Sequence, residues 1–99
     1  MKHFVELDLP PGCVVKGFIP ASQSVECLDS DMVEIDLPDG TTIDVGWVPA
    51  HDPDGSYRVV VFRDYWEFQE EAPVFTASLA GVVEIVCAVA HLRAATVAA

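Results

Sequence analysis

Positive charge is scarce in this chain. Five Lys and Arg residues stand against sixteen Asp and Glu in 99 positions, a formal net charge of -11. Lys2, Lys16, Arg58, Arg63 and Arg93 are thin material for neutralising a phosphate backbone, so nucleic acid is excluded as an expected partner. Glycine-rich phosphate loops are missing too. There is no G-x-G-x-x-G and no glycine run leading to Lys and Ser or Thr. The nucleophile-elbow pattern G-x-S-x-G and the metalloprotease pair H-E-x-x-H are also absent. Cysteine is sparse and odd in number. Cys13, Cys27 and Cys87 show no C-x-x-C spacing, which fits neither a disulfide framework nor a zinc ribbon. Three reduced thiols, and an N-terminus that alternates instead of forming a continuous apolar core, make a cytoplasmic protein the expectation. Nothing in the sequence calls for a cofactor.

Apolar residues are abundant, at 52% of the chain, which rules out general disorder. One stretch, Val74 to Leu92, dominates. Its length approaches that of a bilayer span, but only a helix with one buried face has reason to sort its residues. Leu79, Val82, Val83, Ile85, Val86, Val89 and Leu92 fall on one half of a helical circumference, and Ala80, Gly81, Glu84, Cys87, Ala88 and His91 on the other. Glu84 in mid-stretch would be costly in hydrocarbon, and no basic cluster flanks the stretch. A soluble helix with no membrane role is therefore expected. Pro73 precedes it, Thr76 or Ser78 can cap its start, and Arg93 suits its negative end.

The rest reads as strands. Residues 3–9 alternate, with His3, Val5, Leu7 and Leu9 on one face, until Pro10-Pro11-Gly12 turns the chain. Residues 13–19 resume, and Gly17 marks a bulge or close backbone approach. A short strand is expected at Val25–Leu28. Met32–Leu37 and Thr41–Val48 form the clearest hairpin, joined by Pro38-Asp39-Gly40 in a type I turn with a glycine bulge. Tyr57–Phe62 is apolar on both faces and is expected to be a central strand. The fold class is thus α+β: a mostly antiparallel meander sheet of five or six strands, packed against one long C-terminal helix. A strongly bent, barrel-like sheet with corners at Gly17 and Gly46 is the alternative. All 99 residues form a single domain, with a β-rich part at 1–72, the helix at 73–94 and a frayed tail at 95–99.

Chemistry-bearing residues are few. Glu84, Cys87 and His91 lie at i, i+3 and i+7 on the helix, a spacing that offers three ligands to a metal or a thiol with a nearby base. Asp52, Asp54 and Gly55 share the oxygen spacing of a calcium loop but lack its closing Glu, so the loop reads as turn chemistry. Tyr65, Trp66 and Phe68 form an aromatic cluster suited to an interaction patch. Glu34, Asp36 and Asp44 make an acidic sheet face. Ala80, Gly81 and Ala88 would let a second helix approach closely. The expectation is a small acidic, non-catalytic interaction or regulatory module, with a basic protein as partner and self-association into a homodimer. The alternatives are a metal- or thiol-dependent site on the helix and small-molecule binding between sheet and helix.

Overall fold

The computed structural model describes residues 3–63, 68–69 and 72–98. The antiparallel strands β1 (Val14–Gly17), β2 (Val33–Asp36), β3 (Thr41–Val48) and β4 (Ser56–Arg63) lie side by side in chain order, a meander. The next position in the sheet is shared by β5 (Phe68–Gln69) and β6 (Val74–Thr76), which pair with the two ends of the same edge of β4. Between Phe62↔Gln69 and Val59↔Val74, β4 advances three residues and its partner five. Pro73, which has no N–H to give to a ladder, immediately precedes β6. Helix α1 (Leu79–Ala98) follows and packs on one face. The architecture is α+β with an open sheet, and no strand among the described residues closes it into a barrel.

The β2–β3 hairpin follows its sequence pattern residue by residue. Val33, Ile35, Ile43, Val45 and Trp47 are buried on the helix-facing side with Tyr57, Val59 and Val61 of β4. The turn closes through Leu37 N–H to Thr41 O at 2.8 Å and Gly40 N–H to Leu37 O at 3.1 Å. Gly40 has φ of 88°, the left-handed conformation of a type I turn with a glycine bulge. The Asp39 carboxylate accepts from the Thr41 N–H and hydroxyl and pairs with Arg93 of α1 at 3.1 Å.

Gly17 and Gly46 each meet a carbonyl at close range. A Cβ on Gly17 would overlap the Met32 carbonyl, and one on Gly46 the Ser30 carbonyl. These glycines serve close backbone approach within an open sheet.

Four sequence expectations are corrected. Residues 3–9 form no strand. Only Phe4 bridges to Pro20, flanked by Val5 N–H to Ile19 O at 2.9 Å and Ala21 N–H to His3 O at 3.0 Å. Beyond residue 5 the segment leaves the ladder, and Leu7 and Leu9 pack on the core. Val25–Cys27 is a 3-10 turn, not a strand. It is held by His51, whose N–H donates to Leu28 O at 2.6 Å and whose Nδ1 lies 3.0 Å from Val25 O. The helix starts at Leu79, because β4 takes Val74–Thr76 into the sheet. Ser78 is its cap, accepting the Gly81 N–H at 3.0 Å, and Thr76 Oγ1 accepts the Ser78 N–H at 3.2 Å. The helix also continues through Ala98 into the expected tail, where alanines supply high propensity. Arg93 therefore lies a turn and more before the helix end and serves as a tether to Asp39.

Candidate interaction surfaces

The stripe of α1 that meets the sheet is Val82, Val86 and Ala90, all fully buried. That spacing of four is one face of a helix. Leu92, expected on the buried half, is 70% exposed because it points away from this stripe. The outward stripe is Ala80, Glu84 and Ala88. Gly81 lies instead against Thr76 and Ser78 at the helix start and is partly buried. Leu79–Val97 is long and apolar enough to cross a membrane by length and composition, and 17% of its most apolar window is buried.

Glu84, Cys87 and His91 do not converge on one point. No group of three or more His, Cys, Asp or Glu side chains among the described residues is placed to hold a metal ion. The reason is visible at His91. Its Nε2 lies 3.0 Å from the Asp8 carbonyl and 4.0 Å from the Asp8 carboxylate, so the imidazole clasps the N-terminal segment. Glu84 points outward and is exposed. Cys13, Cys27 and Cys87 are all free and partly buried. Burial pushes the Cys13 thiol up, away from the thiolate form that a nucleophile needs. In the Asp52–Gly55 loop the Asp52 carboxylate accepts the Asp54 N–H at 2.9 Å, a turn contact. The Asp52 carbonyl accepts the Trp47 indole N–H at 2.7 Å.

Tyr65 and Trp66 lie outside the described residues, and of Phe68 only the backbone, in β5, is described. Glu34 and Asp36 lie half-buried on the sheet face away from the helix. Asp36 accepts the Thr42 hydroxyl at 2.9 Å and pairs with Lys16 at 3.3 Å. Asp44 departs from the expected display of acid, being only 4% exposed. Trp47 N–H donates to Asp29 O and Met32 N–H to Val45 O, which bulges the intervening residues over Gly46, beside Asp44. Burial, then the neighbouring Glu34 and Asp31 carboxylates, raise the Asp44 pKa to about 6, while Arg58 pulls it back. A hollow of about 380 Å³ there is lined by Lys16, Asp31, Met32, Val33, Glu34 and Asp44.

One exposed apolar surface is one that sequence pattern did not locate. Phe4, Val14, Val15 and Phe18 are 48%, 54%, 47% and 54% exposed at the β1 end of the sheet. The rings of Phe4 and Phe18 stand 6.1 Å apart and tilted. Between the N-terminal segment and β1 runs a groove of about 590 Å³, lined by Phe4, Val5, Leu7, Leu9, Val15 and Phe18 among others. That size falls in the range of roughly 300–1,000 Å³ typical of binding pockets. The only sequence signal was Gly17, read as a close backbone approach. No protein-family model matches the chain, and no curated protein or solved structure is significantly similar to it.

Proposed function

We propose that the chain is a small acidic interaction module without catalytic chemistry of its own, working in a reducing compartment on a basic protein partner. The observation that supports this reading most is the exposed Phe4, Val15 and Phe18 cluster, set on a molecule of net charge -11. Contiguous apolar surface on a small soluble domain marks a contact site, and a strong single-sign field selects and steers partners of opposite charge. An array of unrelated peptides spanning net charge from negative to positive tests it. Retention of the protein should rise with positive charge and fall in ~0.5 M salt, where screening lengths shrink to a few ångströms. Retention that ignores both charge and salt overturns the reading.

A second reading, a homodimer, is favoured by the outward stripe of α1, where Ala80 and Ala88 are exposed. Light scattering of the protein alone and of Ala88→Glu decides it. A dimeric mass that becomes monomeric in the variant supports the contact, and a monomeric parent removes it.

A further inference from the structure

The N-terminal hairpin is half zipped. Residues 3–5 pair with residues 19–21. Continued in the same register, Leu7 would face Gly17 and Leu9 would face Val15. Neither pair forms: no backbone hydrogen bond joins these residues. The two arms splay apart instead, and the groove of about 590 Å³ lies between them.

The side of β1 that faces the groove follows from the ladder. Phe18 N–H donates to Met32 O at 3.0 Å, in the register that pairs Lys16 with Glu34 and Val14 with Asp36. In an antiparallel pair, hydrogen-bonded positions alternate. The even-numbered residues of β1 therefore spend their main-chain groups on β2. Those of Val15 point to the opposite edge, as the Ile19 carbonyl does where the Val5 N–H meets it. No strand among the described residues covers that edge at Val15. An open strand edge beside an apolar trough is the arrangement by which sheets accept an extended peptide as a further strand.

We propose that this gap takes one extended segment of a partner protein, net basic, with apolar side chains at alternate positions. Its main chain pairs with Val15 at the β1 edge, and its apolar side chains fill the groove on the side of Val15, Leu7 and Leu9. Charge decides the occupant. Glu6 lines the groove, Asp8 beside it is 95% exposed, and a second copy of this chain would bring another -11 to the contact. A basic segment meets a favourable field where a second copy meets repulsion. This inference rests on the reading of the chain as an acidic interaction module and names the mode of contact.

The test uses the whole protein and an acetylated, amidated heptapeptide alternating Lys and Val, with affinity read by fluorescence anisotropy and site by amide hydrogen exchange. Binding should slow exchange at Val15. A Glu–Val heptapeptide should bind at least tenfold more weakly. Val15→Pro removes the outward N–H but leaves the β1–β2 ladder intact, and should cut affinity about tenfold, the worth of one or two hydrogen bonds. If that variant fails to fold, peptides methylated on backbone nitrogens decide on the unaltered protein. Methylation of the Val nitrogens abolishes antiparallel addition and methylation of the Lys nitrogens abolishes parallel addition. Either loss supports strand addition, and tolerance of both overturns it. Equal binding to parent and Val15→Pro overturns the edge site yet leaves the acidic-module reading standing. No binding of any peptide at low salt overturns both. A dimeric parent whose β1 amides are already protected assigns the edge to a second copy and also overturns the proposal.

Discussion

Two hairpins in this molecule begin from similar sequence and end differently. The β2–β3 hairpin and the N-terminal hairpin both consist of alternating arms around a Pro- and Gly-containing turn. The first is paired throughout, from Asp36↔Thr42 to Val33↔Val45. The second pairs only at its open end. Turn chemistry accounts for part of the contrast. Asp39 binds Thr41 and Arg93 and so locks its turn from within and from the helix, whereas Pro10 and Pro11 have no N–H to give. Tertiary contacts go with the rest. In β2 and β3 the buried residues face the helix within a complete ladder. In the N-terminal arm Leu7 and Leu9 pack on the core outside any ladder, and His91 holds Asp8 between them. Alternation sets which residues share a face, and it does not by itself decide whether the strand pairs.

The contrast predicts unequal costs. Ile43→Ala, in the closed hairpin and fully buried, should lose about 2–5 kcal/mol in urea denaturation. Leu7→Ala, on the partly buried arm, should lose less than half of that. Equal losses would mean that the arm is as integral to the core as β3.

The next largest effect is set by pH. Asp44 has a pKa raised to about 6 inside the closed hairpin, against about 3.9 unfolded. The folded state binds the proton more tightly, so this contribution favours folding below the unfolded value and is lost as pH rises through about 6. Asp44→Asn should therefore stabilise the fold by about 2–3 kcal/mol at pH 7 and flatten stability between about pH 4 and 6. Unchanged pH dependence in the variant would refute the assignment.

Asp39 has the opposite sign. Burial pushes its carboxyl up, but hydrogen bonds from Thr41 and Arg93 and the Arg93 charge outweigh this, and the net shift is downward. Its stabilisation is present above the ordinary carboxylate pKa and is lost as pH falls below it. Asp39→Ala should cost about 1–2 kcal/mol and, in a double-mutant cycle with Arg93→Met, show coupling. Additive losses would make the tether incidental.

The smallest expected change comes from His91→Ala, at most about 1 kcal/mol. It should speed amide exchange at residues 6–9 and leave β2 and β3 untouched. Exchange that speeds equally in both hairpins would erase the distinction between them.

The sequence made the meander, the β2–β3 turn and the helix legible because those features rest on local period and turn chemistry. Thr41–Val48 was read to the residue for that reason. The start of α1 was not, because Val74–Thr76 joins β4 through a ladder that no local pattern encodes. The burial of Asp44 escaped for a related reason. Alternation places it beside Glu34, and no local pattern encodes the tertiary packing that takes it out of water. The groove at β1 was illegible because it is a pairing that failed to form.

The order of the elements has one further consequence. The meander is built from neighbouring segments, yet its buried face is covered by Val82, Val86 and Ala90 in the 20-residue helix that follows. At synthesis rates of about 5–20 residues per second, that helix takes on the order of one to four seconds to make after the sheet. During that interval Ile43, Val45 and Tyr57 have no helical lid, so a nascent chain at this stage is the form in which chaperone capture should be sought.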